Sequence, residues 1–177
     1  MDSRRCNLRI ERLKFTTPSG SYNIARQTGM ATYTQIIYHI VFATKHRERV
    51  LEKARREDLF RYIWGIVKNH EAHLFRINGI EDHVHILTSL HPTVTLADFV
   101  TAIKTGSSKW IKEKNIFPRF THWQEGYGAF THSIREKDVL IEYIKNQETH
   151  HREVDFLDEY RKLLKDADVE FDEKYLL

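Results

Sequence analysis

Residues 81 to 87 read EDHVHIL, an apolar run in which His83 and His85 take alternate positions. Residues two apart on a β-strand project from one face, so these imidazoles point together while Val84 and Ile86 turn the opposite way into a core. Two adjacent imidazoles are half of a divalent-metal site. A metal needs at least one more ligand and open positions for substrate, and imidazole alone does not choose between zinc, manganese and magnesium. The same pair also suits two strand histidines satisfied by ordinary hydrogen bonds. Further along, EYIKNQETHH sets Tyr143 and Gln147 four residues apart, one turn above the other on a single helix face. Gln147 offers an amide oxygen. Tyr143 offers a phenol with an ordinary pKa near 10, which becomes a nucleophile when a nearby cation or base favours loss of its proton. The alternative is a helix whose Tyr and Gln pack at the edge of a core.

The elements that must position these groups are legible in the patterning. YTQIIYHIVFAT, from Tyr33 to Thr44, is rich in β-branched and aromatic residues and apolar on both alternating faces, as a central strand requires. Leu59, Tyr62, Ile63, Ile66 and Val67 then trace an amphipathic helix that ends near His70. AHLFRINGI and HVHILTSL are strand-like runs joined by a turn at Gly79 to Asp82, and a hairpin is the simplest connection. Leu96, Phe99, Val100, Ile103, Ser107, Trp110 and Ile111 form the stripe of a second helix. GYGAFTHS reads as a fourth strand. Ser133 and Glu136 form an S-x-x-E capping box that opens a third helix, with an inward stripe of Val139, Leu140, Tyr143, Ile144 and Gln147. A last helix carries Phe156, Leu157, Tyr160, Leu163 and Leu164. The order βαββαβ followed by helices predicts an α+β, ferredoxin-like fold: an antiparallel sheet with two helices on one face and the other face free for a site or partner.

With motifs and elements combined, the chain resembles the single-tyrosine HUH transposases of the smallest bacterial insertion sequences and their repeat-associated domesticated relatives. The resemblance spans about Ala31 to Leu157 and rests on DHVHIL, the GYGAF strand and VLIEYIKNQETHH occurring together in this order. It implies that His83 and His85 bind a divalent cation, Mg2+ or Mn2+, that Gln147 completes the protein's ligands, and that Tyr143 is the nucleophile. The cation would polarise the scissile phosphate while Tyr143 attacks phosphorus, giving a 5′-phosphotyrosine and a free 3′-hydroxyl. No water is consumed, so the step can reverse to join strands. The implied partners are single-stranded DNA with a hairpin at element ends and a second copy of the chain, a homodimer in which each tyrosine helix serves the other subunit.

The remaining sequence adds context. The chain has 177 residues, room for one core, and a formal net charge of +3, compatible with a polyanionic partner without demanding one. A single cysteine, Cys6, cannot form an internal disulfide, and there is no long apolar run to act as signal peptide or membrane span, so a cytoplasmic location is expected. Residues 1–29 lack sustained periodicity and carry five arginines and one lysine; they read as a flexible arm or as upstream sequence, ahead of a domain over 30–177. For DNA contacts the candidates are Lys45, His46, Arg47 and Arg49 in the loop TKHRER, and a patch of Lys104, Ser107, Ser108, Lys109 and Trp110 in which Ser107 and Trp110 also suit a core. His150 and His151 are expected to favour the negative end of the helix dipole and to face solvent or phosphate. Two other classes compete: a nucleic-acid-binding module without catalysis, and a hydrolase in which the cation activates water and Tyr143 only binds substrate.

Overall fold

The computed structural model describes residues 33–176; the extension at 1–29 lies outside them. The elements run β1 (Ile37–Ala43), α1 (Lys53–Asn69), β2 (His73–Gly79), β3 (His83–Ser89), α2 (Leu96–Lys114), β4 (Gly128–His132), α3 (Lys137–Lys145), α4 (Gln147–His150) and α5 (Phe156–Asp166). The four strands form one sheet of order β2-β3-β1-β4 in which every neighbouring pair is antiparallel. This is the expected ferredoxin-like arrangement, with β1 and β2 kept apart by β3 inserted between them.

The register decides which side chains share a face. Val41 stands opposite His85, Ala43 opposite His83, and His39 opposite Leu87 and Phe130. These residues therefore line one face, together with Asn78, which opposes His85 from β2. Ile40, Phe42, Val84 and Ile86 line the other and pack with Leu59, Ile63, Val67, Phe99, Val100 and Ile103 of α1 and α2 into the main core. The strand expected over Tyr33–Thr44 is shorter, because its ladders end at the pairs Ile37–His132 and Tyr38–Thr88 and residues 33–36 pair with no strand among the described residues.

The second sheet face, expected to be free, is covered. Val41, Ala43 and Phe130 pack against Phe156, Tyr160 and Leu164 of α5, while Ile37 and Leu87 pack against Ile144, with Leu140, Ile141 and Tyr143 of α3 at the margin. The Ser133–Glu136 capping box is present and turns the chain from β4 into α3. Val139, expected on the inward stripe, is instead exposed; the packed stripe begins at Leu140. α5 opens with Asp155, whose side chain accepts from the backbone N–H of Leu157.

Gly128 allows the close approach of α5 to the sheet. A Cβ at this position would lie 2.8 Å from the Tyr160 ring, 2.9 Å from its hydroxyl and 3.2 Å from Phe130. The Gly128→Ala variant is therefore expected to lose about 1–3 kcal/mol of stability through overpacking, measured by denaturant unfolding. Since Tyr160 follows Glu159 directly, a shift of α5 also disturbs the site described next, so divalent-cation affinity should fall with stability. A variant as stable as the parent would refute the packing argument.

Candidate active site

β3 supplies His83 and His85, both fully buried. Across the hairpin, the side-chain amide of Asn78 on β2 donates to the carbonyls of Ile144 (2.9 Å) and Lys145 (3.0 Å), which satisfies two open groups at the C-terminal end of α3 and docks that helix on β2, the strand paired with the one carrying the histidines. Tyr143 is thereby held half-buried, its ring 6.2 Å from that of His85. The helix does not continue unbroken to Gln147. It breaks at Asn146, and α4 restarts at Gln147. Glu148 in α4 is anchored by Lys53 at 2.5 Å and by the buried guanidinium of Arg56 at 3.4 Å. The short helix is thus fastened to α1, and Gln147 is buried against the histidines.

The centre of the site is Glu159, a buried residue of α5 that the sequence reading does not identify. Its Oε2 lies 3.0 Å from His151 Nε2, 3.5 Å from His85 Nε2 and 3.8 Å from His83 Nε2. Its Oε1 accepts from the Gln147 amide (2.8 Å) and from the Tyr143 hydroxyl. His150 Nε2 stands 3.6 Å from the same oxygen. One chain therefore brings Tyr143, His83, His85 and Gln147 together around one carboxylate. His151, expected to face solvent or phosphate, instead points inward with a side chain only 4% exposed. The break at Asn146 turns the following residues off the path of α3, and the His151 Nδ1–H donates to the Val154 carbonyl at 2.8 Å, which fixes its ring.

These donors fit a cation. One atom from each of His83, His85, His151 and Glu159 can be chosen so that all lie within 4.8 Å of one another. His85 Nε2, His151 Nε2 and Glu159 Oε2 are buried without a hydrogen-bond partner despite their proximity, so they converge on a common point and not on each other. His83 Nδ1 meets the Asp82 carboxylate at 2.6 Å; donating its proton there leaves a lone pair on Nε2, which faces the Gln147 amide oxygen at 3.5 Å. Two acceptors facing each other across that distance suit a cation between them. Imidazole, carboxylate and amide oxygen together are donors that manganese and related divalent ions accept.

The electrostatics follow from this enclosure. Burial alone would raise the Glu159 carboxyl, but the close imidazoles of His151 and His85 and the hydroxyl of Tyr143 hold it far below the usual range. Burial lowers His85 to about 4, outweighing the attraction of Glu159. Burial works to lower His151, but Glu159, the Val154 carbonyl and Asp82 together leave it raised. Tyr143 is raised by burial and then by the Glu159 charge, so without a cation its phenol stays protonated. The metal-free protein should accordingly be most stable near pH 6.5. His85, lowered, makes stability grow as pH rises from about 4 towards its ordinary 6.5; His151, raised, contributes stability that is fully present below 6.5 and lost as pH climbs through its shifted value. Thermal melts between pH 5 and 9 should show this maximum, and His151→Asn should remove much of the alkaline decline. An unchanged decline in that variant would rule out the His151 contribution.

The candidate DNA-contacting residues divide. His46, Arg47 and Arg49 line an open groove of about 380 Å³ with Asp82, His151 and Phe156, at the edge of the donor cluster. Lys45 lies in the same short turn, where His46 and Arg47 both take left-handed backbone angles. Arg49 also pairs with Glu81 at 3.2 Å. Lys104, expected to be available to DNA, instead donates to the carbonyls of Gln124 and Gly126, 2.7 Å each, because the loop before β4 lies over it. Lys109 is exposed and faces Glu113 at 3.8 Å on its own helix. Ser107 is core, accepting from Trp123 Nε1 at 2.9 Å, and Trp110 stacks on Tyr62.

Comparison with known proteins bears on the family and the fold. Residues 32–147 match the family model described as "Transposase IS200 like". The chain is 27% identical over 120 residues to the ISDra2 transposase TnpA of Deinococcus radiodurans, covering 64% of this chain and 84% of that one. It is 24% identical over 116 residues to the transposase for insertion sequence element IS200 of Salmonella typhimurium, covering 62% and 75%. Among solved structures, a transposase from Deinococcus radiodurans superposes with a TM-score of 0.54 at 25% identity, over 69% of this chain and 98% of that one. A REP-associated tyrosine transposase bound to a REP hairpin shares the fold with a TM-score of 0.51 at 15% identity, over 71% and 76%. No helix among the described residues is long and apolar enough to cross a membrane. By the match that runs from the start of the sheet to Gln147, the chain belongs to the IS200-like transposase family.

Proposed function

We propose that this chain cleaves and rejoins single-stranded DNA at element ends, with Tyr143 as nucleophile and a divalent cation, Mg2+ or Mn2+, held by His83, His85 and Gln147, with Glu159 and His151 beside them. The observation that carries this reading is the convergence of Tyr143 and the two histidines on Glu159 within one chain. When bound there, the cation would polarise the scissile phosphate and draw charge from its leaving oxygen.

The protein's own groups supply the rest. Tyr143 attacks phosphorus; the bond to the 3′ oxygen breaks, leaving DNA joined to the tyrosine through its 5′ phosphate. Glu159 Oε1 accepts the hydrogen bond of the Tyr143 hydroxyl and so orients its oxygen, while Oε2 faces the histidines; the phenol proton passes to solvent as the bond to phosphorus forms. The departing 3′ oxygen takes up a proton and becomes a hydroxyl. Reversal with another 3′-hydroxyl rejoins a strand. His46, Arg47 and Arg49, in the groove beside the cluster, suit phosphates of the strand entering the site. A hairpin partner and a homodimer are the further expectations from the resemblance. Tyr143 lies beside Glu159 and His85 of the same chain, so an exchanged dimer would require α3 to leave Asn78.

The test uses single-stranded oligonucleotides from the regions flanking the gene, with manganese or magnesium. Cleavage should require the cation and release a strand whose 3′ end a polymerase extends directly, while the other fragment stays with protein. Tight binding without cleavage in either metal would favour a non-catalytic binding module.

A further inference from the structure

His39, on β1, is fully buried and on the same sheet face as His85. Its Nε2 lies 2.9 Å from His85 Nδ1, and the two rings stack with centroids 5.1 Å apart. A hydrogen bond between two neutral imidazoles contains one shared proton and so has two forms. If His39 donates, the remaining proton of His85 sits on Nε2 and points into the donor cluster, where no lone pair is left for a cation. If His85 donates, its Nε2 lone pair faces the cluster and the His39 proton moves to Nδ1, an atom buried without a partner. Only the second form equips His85 as a ligand.

We infer that His39 is a positioning residue that accepts the Nδ1 proton of His85 and thereby fixes both the ring and its tautomer, as the Asp82 carboxylate does for His83. The two ligand histidines thus have unlike supports. Asp82 is partly exposed and can carry a charge. His39 is enclosed by Phe130, His132 and Tyr143 at ring distances of 6.2, 6.0 and 6.2 Å, where an unpaired carboxylate would be costly and a neutral acceptor is not. The arrangement also explains a lone polar residue at the centre of a strand that is otherwise apolar on this face from Ile37 to Ala43.

This inference rests on the reading of His83 and His85 as metal ligands, and the experiment separates the two. Manganese binding to purified protein is measured by calorimetry for the parent, His39→Gln, His39→Asn and His39→Leu, alongside thermal melts. The Gln amide oxygen reaches the place of Nε2; the Asn oxygen lies nearer that of Nδ1, and Leu has no acceptor. Expected is affinity within a few-fold of the parent for His39→Gln and losses of about 10–100-fold for the other two. In the metal-free parent, nitrogen NMR of labelled histidine should place the His85 proton on Nδ1. Parent affinity retained in all folded variants, or a His85 proton on Nε2, would overturn the role of His39. Absence of manganese and magnesium binding by the folded parent would overturn the ligand reading itself.

Discussion

Tyr143→Phe should abolish covalent attachment of DNA while leaving the fold and cation binding nearly intact. The substitution removes one oxygen. The ring contacts to His39, His85 and His150 at 5.6–6.2 Å are available to Phe as well, and Gln147 still donates to Glu159. What disappears is the atom that would bond to phosphorus, and no other hydroxyl, thiol or amine is hydrogen-bonded to Glu159 among the described residues. Removal of an enzyme nucleophile typically costs a factor of about 10⁴ to 10⁶ in rate, so the adduct should fall below detection on a denaturing gel. Manganese affinity should change by no more than a few-fold. Persistence of adduct in this variant would assign the nucleophile elsewhere.

Glu159→Gln should have the largest effect on the cation. The carboxylate is the only anion among the donors within the cluster, and three histidine nitrogens lie within 3.8 Å of its Oε2. Loss of a residue that merely supports a metal ligand costs about 10–100-fold in affinity, and loss of a charged ligand should reach or exceed the upper end of that range. The variant also exchanges an acceptor for an amide beside Tyr143 and Gln147, whose hydrogens then have one lone-pair partner fewer. Calorimetry with manganese decides the matter. Unchanged or tighter binding would mean that His83, His85 and Gln147 suffice, and that the carboxylate only fills the site in the metal-free chain.

The parts of this site that the sequence exposed are those where one local period governs the side chain. H-x-H on a strand announces its face by a spacing of two and Leu140 to Ile144 theirs by a helical spacing, and the S-x-x-E cap marks where the helix begins; Val139 is exposed, and Gln147 reaches the site from a separate helix. The rest depends on register or on chain breaks. His151 looks like the solvated end of a helix until Asn146 interrupts it and α4 changes direction. His39 stands in a strand apolar on both sides, where the face it takes is set by its pairing with Leu87 and Phe130. Glu159 had a usable signal. It falls between Phe156 and Tyr160 on the apolar stripe of α5, and a carboxylate on a helix's buried stripe requires partners. Beside Asp158, however, it reads as an ordinary first-turn acid. The free sheet face predicted from βαββαβ failed for a related reason: the pattern fixes the sheet and its first two helices, while the later helices chose the open side because Val41, Ala43 and Phe130 present apolar surface there.

The most direct test of the account is to isolate the product of manganese-dependent reaction with single-stranded DNA, digest it, and locate the attached nucleotide by mass spectrometry. The geometry predicts a phosphodiester from the DNA 5′ phosphate to the Tyr143 oxygen, with a free 3′-hydroxyl on the released strand. A protein-free product carrying a 5′ phosphate would instead show that water is the nucleophile, and would contradict the role given to Tyr143.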